Sequence, residues 1–303
     1  MDRQEKIPVL RPEDLNDFHY KTIKWQPTIS ETKHKHYHVN RIENFIGNFS
    51  FPLPPHRKTV HDFIYLKKGY SRRSKGLNKY DFWASELFFL PAFQITEHVE
   101  MSKDTEGFYL HFDEKLFPFL PKNYLNDTYR FFQLQSNPVI KISDDSKLYI
   151  EQILERLLNL YEDDTKEMNM NLVATYLLAF FEEIKKELPS ELKKKKNAYF
   201  QITEQFKNAL ALHIYQKQTV ADYAQILNIT PNYLNKCVKN STNRTAQDLL
   251  NEMLTLEAKT LLKFSNLQIS EIAVKLFDQT PSNFSRFFKS QTGITPKQYL
   301  EMY

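Results

Sequence analysis

A single cysteine, Cys237, stands in 303 residues. One thiol excludes an internal disulfide framework, a four-thiolate zinc site and a Cys-x-x-Cys redox pair. Glycine is scarce: Gly47, Gly69, Gly76 and Gly107 fall in the first 107 positions, and only Gly293 lies beyond them. The sequence shows no glycine-rich phosphate loop and no Ser/His/Asp or Cys/His arrangement, so it offers no residue for catalysis and predicts a non-enzyme without a cofactor. Long apolar runs are missing too. The longest, Leu172–Phe181, falls far short of the roughly 20 residues that span a bilayer, and no membrane partner is expected. The opening Met-Asp-Arg-Gln-Glu-Lys-Ile-Pro is charged and lacks the apolar segment of a secretory signal, which predicts a cytoplasmic protein. Neither sign of charge dominates. Lys and Arg number 41 against 37 Asp and Glu, and the pI is near 8.8, a mild basic bias compatible with a polyanionic partner.

What is present is ordinary globular material. The hydrophobic fraction is 41% and the charged fraction 26%, too apolar for a disordered chain. The length is about twice that of a usual domain, which predicts two. Between Phe45 and Phe112 run short segments rich in aromatic and β-branched residues, among them Asp62-Phe-Ile-Tyr-Leu, Ser85-Glu-Leu-Phe-Phe-Leu and Gly107-Phe-Tyr-Leu-His-Phe. Lys68-Gly69, Lys75-Gly76 and Leu90-Pro91 separate them, and the spacing predicts a small antiparallel barrel or sandwich over 1–142.

From Ser143 the apolar period becomes helical. Leu148, Ile150, Ile153, Leu154, Leu157, Leu158 and Tyr161 mark one helix, and Asn169–Leu188, stopped by Pro189, a second. The second is apolar around most of its circumference, so it needs partners on more than one face, either the barrel or another subunit. Segment 143–189 is thus read as a connector that also pairs two chains into a homodimer. Residues 190–199, with the run Lys193–Lys196, read as a charged linker.

The last hundred residues carry strong helix punctuation. Thr230-Pro231, Thr280-Pro281 and Thr295-Pro296 each place an N-cap before a proline at the first helical position. Thr219-x-x-Asp222 and Thr245-x-x-Asp248 resemble capping boxes. About seven helices are predicted: Ile202–Tyr215, Val220–Leu227, Pro231–Asn240, Ala246–Phe264, Ile269–Leu276, Pro281–Gln291 and Pro296–Tyr303. A shift of 50 residues superposes Thr230–Thr245 on Thr280–Thr295, with Thr230/Thr280, Pro231/Pro281, Lys239/Lys289, Thr242/Thr292 and Thr245/Thr295 identical. A short helix carrying Ala224 or Ala273 precedes each copy. Short helix, turn and capped helix make a helix-turn-helix, here twice, over 219–240 and 268–290. The helix between them, about 28 Å long at 1.5 Å per residue, suits two units entering major grooves about 34 Å apart on one side of a DNA duplex. The candidate DNA-contacting residues are Pro231, Asn232, Asn235, Lys236 and Lys239, then Ser282, Asn283, Ser285, Arg286 and Lys289. Asn, Arg and Lys read base edges or grip phosphate.

On these residues the segment 200–303 resembles the DNA-binding domain of the AraC/XylS family of transcription regulators. The family's second-motif tail is matched by Phe284-Ser-Arg-Phe-Phe-Lys-Ser-Gln-Thr-Gly-Ile-Thr-Pro-Lys-Gln-Tyr299, and its central helix by Thr255-Leu-Glu-Ala-Lys-Thr-Leu-Leu262 with Ile272-Ala273 after it. Two departures stand out. The family's Gly-Phe is Phe277-Asp278 here, which puts the second turn in question because phenylalanine tolerates a left-handed backbone poorly. The glycine closing the first motif is Asn243, an easier substitute. The N-terminal half resembles the cupin-like sensor barrel of the same family through Pro55-His56, His61–Gly69, Tyr80–Pro91 and Gln94. The implied architecture is α+β: a cupin-like antiparallel barrel with following helices, then an all-α domain. The implied function is a sequence-specific transcription regulator controlled by a small-molecule effector, with RNA polymerase as a further partner. His56, His61, Tyr65, Trp83 and Gln94 are the candidate effector contacts.

Blander readings compete at several positions. A metal-dependent cupin enzyme would need a His-x-His pair and a carboxylate, and Ile64 or Tyr65 stands where the carboxylate would fall, so no metal is expected. His34, His36 and His38 alternate as on one face of a strand but read as surface histidines among lysines. Cys237 matches Phe287 in the repeat and reads as core rather than as a redox sensor. A constitutive DNA-binding protein with a vestigial barrel, and least of all a cupin enzyme with a helical tail, are the alternatives.

Overall fold

The computed structural model describes residues 7–15, 36–49, 51–121, 124–133, 136–163, 168–188 and 198–302. The chain divides into two compact units, Val9–Leu192 and a unit of Lys193–Tyr303 with Met1–Pro8. Of the expected linker 190–199, residues 190–197 lie outside the described residues, as does His34.

The described residues of the N-terminal unit form ten strands: β1 Val9–Leu10, β2 Tyr37–Arg41, β3 Leu53–Lys58, β4 His61–Lys68, β5 Tyr70–Lys75, β6 Asn78–Trp83, β7 Glu86–Leu90, β8 Thr96–Met101, β9 Glu106–Phe112 and β10 Val139–Lys141. They form two five-stranded sheets, β1-β3-β8-β5-β6 and β10-β7-β4-β9-β2. The pairing is antiparallel throughout except between β1 and β3. The apolar run in β4 does not alternate with polar residues because the strand is buried on both faces. Phe63 and Tyr65 point to one side, Ile64 and Leu66 to the other, and all four are buried in two separate clusters. Where β4 and β9 run closest, a Cβ at Gly107 would strike the Tyr65 carbonyl, so only glycine fits.

After the short helix α1 (Tyr124–Thr128) come α2 (Asp144–Glu162) and α3 (Met170–Lys186). Val173, Leu177, Phe180 and Phe181 of α3 join Leu154, Leu157 and Leu158 of α2 in one core with Phe63, Phe89 and Phe112 of the sheet. Phe180 stacks on Phe63 at 4.7 Å, and Phe181 meets Phe112 at 5.4 Å. The sheet and α2 therefore cover most of the apolar circumference of α3, and Met170, Leu172, Tyr176 and Leu178 stay half-buried. The outward apolar residues of this pair are Leu148 and Tyr149 of α2, 60% and 56% exposed.

The C-terminal unit holds α4 (Ala198–His213), α5 (Val220–Ile226), α6 (Pro231–Thr242), α7 (Ala246–Phe264), α8 (Ile269–Phe277), α9 (Pro281–Thr292) and α10 (Pro296–Leu300). These match the seven expected helices, with α4 described from Ala198, four residues before the expected Ile202, to His213. Helix α7 buries Leu250, Leu254, Ala258, Leu261 and Leu262 and forms the spine against which the others pack.

Candidate nucleic-acid interface and effector cavity

The two recognition segments repeat in structure as they do in sequence. Helices α6 and α9 start and end 50 residues apart. Thr230 caps α6 by accepting from the Tyr233 amide at 3.2 Å, and Thr280 caps α9 by accepting from the Asn283 amide at 3.4 Å. The hydroxyls of Thr242 and Thr292 donate back to the carbonyls of Val238 and Phe288. Asn243 and Gly293 close the helices at φ 58° and 82°, the left-handed conformation that asparagine and glycine accept most readily. Leu234 and Val238 are buried beneath α6, and Phe284 and Phe288 beneath α9.

The turn in question resolves differently from the expectation. Phe277 completes α8 in helical conformation, and Asp278 takes the left-handed position at φ 46°, as Asn228 does at φ 55° in the first motif. A short polar side chain tolerates that region, which a phenylalanine would not. Phe277 stays buried and packs on Phe284 and Phe287 at 5.2 and 4.8 Å. The departure from the family pattern thus keeps the turn.

Of the ten candidate contact residues, Pro231, Asn232, Lys236, Lys239, Ser282, Asn283, Arg286 and Lys289 are exposed, whereas Asn235 and Ser285 are half-buried. Among the described residues none of Lys236, Lys239, Arg286 and Lys289 is in an ion pair, so four cations face outward without a protein carboxylate. Arg286 donates to Asn283 Oδ1 rather than pairing with Asp278. Lys236 Nζ lies 5.8 Å over the Tyr199 ring, which also meets Tyr233. Sequence reasoning missed Tyr199 because the first turn of α4 carries no motif. Asn235 supports the fold as well, since its Oδ1 accepts from the Ala246 amide at 3.1 Å and ties α6 to the start of α7. At the matching place in the second motif stands Pro296, which has no N–H to satisfy, and residue 285 is a serine. Cys237 is buried, and burial pushes its thiol pKa up, which leaves it unreactive.

In the N-terminal unit the two sheets enclose a cavity of about 680 Å³ of empty space, counted to its open mouth. Phe45, Phe49, Phe51 and Met101 line its apolar part, and His56, Lys58, Arg73 and His98 its polar part. Both cations converge on Asp62. Arg73 donates to Oδ1 and Oδ2 at 2.9 and 3.1 Å, Lys58 Nζ donates to Oδ2 at 2.5 Å, and all three side chains are 3% exposed or less. The two cations hold the Asp62 carboxyl well below its usual range, although burial alone would raise it. Burial lowers Lys58 to about 8 despite Asp62, and burial with the nearby Lys58 lowers His56 to about 3.

Of the five candidate effector contacts only His56 lines this cavity. His61 and Tyr65 share the odd-numbered face of β4, which looks toward the helices. His61 stacks on Phe112 and accepts from the Ala92 amide at Nδ1, so Nε2 carries the hydrogen given to Glu114. Tyr65 donates to Glu151 of α2. Trp83 stands half-exposed on β6 against Tyr70, and Gln94 sits in the turn after Pro91. His38 is buried rather than superficial, and its Nδ1 shares a 2.5 Å hydrogen bond with the Tyr161 hydroxyl. Among the described residues no group of three His, Cys, Asp or Glu is arranged to hold a metal ion, and no helix is long and apolar enough to cross a membrane.

Residues 223–302 match a helix-turn-helix domain family. An uncharacterised HTH-type transcriptional regulator of Bacillus subtilis (strain 168), YisR, is 23% identical over 251 residues, covering 80% of this chain and 85% of its own. The C-terminal domain of AraT, a response regulator from Geobacillus stearothermophilus, is 28% identical, with 35% of this chain and 89% of that one covered and a TM-score of 0.33. ToxT from Vibrio cholerae is 14% identical, with 88% of this chain and 99% of that one covered and a TM-score of 0.37. Residues 223–302 thus form a helix-turn-helix domain, and the chain is similar over most of its length to an HTH-type transcriptional regulator.

Proposed function

We propose that α6 and α9 enter two successive major grooves of one duplex and that a small molecule in the N-terminal cavity governs their binding. The observation that carries the DNA reading is the internal repeat: two identically capped helices, each with two outward cations free of ion pairs among the described residues, flank the 19-residue α7. That helix is about 28 Å long, close to the groove spacing of B-DNA. Lys236 and Arg286 are the base readers, while Lys239 and Lys289, one turn further on, grip phosphate. The cavity supports the effector reading, because a concave, mostly apolar space with a few converging polar groups is what a small ligand uses. No catalytic step is involved, and the protein acts on cytoplasmic DNA in contact with RNA polymerase. Two chains pair through the outward face of α2 at Leu148 and Tyr149, where light scattering of Leu148→Glu should show a monomer if the wild type is a dimer.

Selection of duplexes from a random library by the full-length chain tests the DNA reading. Enriched sites should carry two motifs separated by about one helical turn, roughly 10 base pairs. Enrichment of a single short motif would mean that only one of the two helices reads bases.

A further inference from the structure

The polar part of the cavity has a charge imbalance. Among the described residues lining the cavity none is Asp or Glu, yet Lys58, Arg73, His38, His56, His98 and His111 are among them. Among the described residues the only carboxylate bonded to Lys58 and Arg73 is Asp62, and both of its oxygens are engaged, Oδ1 by Arg73 and Oδ2 by Arg73 and Lys58 together. Two buried cations therefore face one buried anion. Arg73 adds a bond from Nε to Thr96 Oγ1, and Lys58 a bond to the Tyr109 hydroxyl at 3.2 Å. These neutral acceptors solvate the charge without cancelling it. A buried charge without a counter-charge is costly, and among the described residues the site is one negative charge short. The neighbouring histidines feel the same excess: Lys58 and Arg73 both push His56 and His98 toward the neutral form, on top of burial.

The rest of the cavity points to an apolar ligand body. Phe45 and Phe49 lie 5.1 Å apart, Phe49 and Phe51 stack at 5.8 Å, and Phe51 meets His98 at 4.8 Å. This aromatic ladder runs from the apolar wall to the cationic floor. A polyhydroxylated neutral ligand would leave most of its hydroxyls without partners against such a wall. A dianion would overshoot the single missing charge.

We propose that the effector is a monoanion with an apolar body, its oxyanion seated on Lys58 and Arg73 and its body along Phe45, Phe49 and Phe51. The inference rests on the reading of the cavity as an effector site and adds the chemical class of the occupant. The third N–H of Lys58 and the N–H groups of Arg73 not given to Asp62 and Thr96 supply the charge-assisted bonds.

The test is calorimetric titration of the full-length chain in low-halide buffer with three probes of one shape: 4-phenylbutanoate, 3-phenylpropanesulfonate and the neutral 4-phenylbutanamide. At least one anion should bind about tenfold or more tighter than the amide, the factor expected of a charge-assisted contact, and the tighter one identifies the headgroup. Lys58→Met leaves Arg73 and Asp62 as a balanced pair, so the fold should hold. It should erase the preference for the anion while leaving amide binding unchanged, and Lys58→Arg should restore the preference. An amide bound as tightly as both anions, or an anion preference that survives Lys58→Met, overturns the monoanion and leaves the effector cavity standing. So does loss of amide and anion together in Lys58→Met without rescue by Lys58→Arg. Absence of binding by all three probes at millimolar concentration overturns both.

Discussion

The two units handle polar groups in opposite ways. The N-terminal unit takes them inside: His38, His56, His61, His98, His111, Lys58, Lys75, Arg73 and Asp62 are all buried. Among its described residues the C-terminal unit buries only Glu204 and Glu257 of its charged side chains, and it places capping hydroxyls at helix ends, in Thr219, Thr230, Thr245, Thr280 and Thr295. An interior of charges is expensive and specific, which suits a cavity that must recognise one molecule. A surface of cations without carboxylate partners costs little folding energy and leaves them free for a polyanion. Stability should therefore respond to buried ionisable groups in the first unit and to local hydrogen bonds in the second.

The largest expected effect breaks the charge cluster. Asp62→Ala leaves Lys58 and Arg73 buried without a partner and should destabilise the N-terminal unit by about 3–5 kcal/mol. Both tryptophans, Trp25 and Trp83, precede residue 143, so denaturation followed by tryptophan fluorescence reports that unit. An unchanged fluorescence midpoint would show that the cluster is not the anchor of the sheets.

Acid should separate the units next. His56 is lowered to about 3 in the folded state, mainly by burial, and His98 is lowered as well. Below pH 6.5 the unfolded chain takes up protons that the folded chain refuses, so the N-terminal unit loses stability as pH falls from 6.5 toward 3, by on the order of 4 kcal/mol for His56. Lys58 at about 8 and Lys75 at about 7 extend the same trend upward, stability rising with pH toward the ordinary lysine value. The caps of the C-terminal unit depend on Asp222 and Asp248, whose pKa values are lowered by their hydrogen bonds to Thr219 and Thr245. Their contribution is present above the ordinary aspartate pKa and lost only as pH falls below it. Acid titration should thus melt the tryptophan signal at higher pH than the helical circular dichroism of the C-terminal unit. A single coincident transition would contradict the contrast.

Smaller effects sharpen the picture at the DNA face. Arg286→Ala and Lys236→Ala should each cost about 1–3 kcal/mol on the cognate site and relax preference at one or two base pairs. Lys239→Ala and Lys289→Ala should weaken all sequences alike and reduce the salt slope by about one. None of the four should move the melting temperature, since none holds an ion pair among the described residues. A large fall in melting temperature for Arg286→Ala with an unchanged cognate-to-scrambled ratio would make that residue structural.

The smallest effect compares the two motifs directly. Asn235→Ala removes the acceptor for the Ala246 amide and should cost about 1 kcal/mol of stability, whereas Ser285→Ala, opposite Pro296, should cost almost nothing. Equal costs would mean that the Asn235 contact does not hold α7.

Legibility in the sequence follows the range of the interactions. Helices α5 to α10 are readable because a cap involves residues two or three apart, and the period of 50 repeats the whole set. Asn243 is readable as a left-handed closure for the same reason. The second turn departs from the sequence expectation by one position, since only the packing of Phe277 on Phe284 and Phe287 decides which residue leaves the helix. The cavity is mostly illegible. His61 and Tyr65 resemble ligand contacts in a run dominated by apolar and aromatic residues, and nothing local tells the odd face of β4 from the even one.

The sequence by itself determined the helical unit, its two motifs and its outward cations, because capping, turn chemistry and helical period act within a few residues. Only the tertiary structure decided what lies inside the N-terminal unit. Lys58, Arg73 and His98 come from three strands, and the sheet register brings them to one floor. The same register hands the odd face of β4 to α2 and α3. Which side of a doubly buried strand meets a cavity is a long-range outcome of strand pairing and packing, and alternation within one strand cannot carry it.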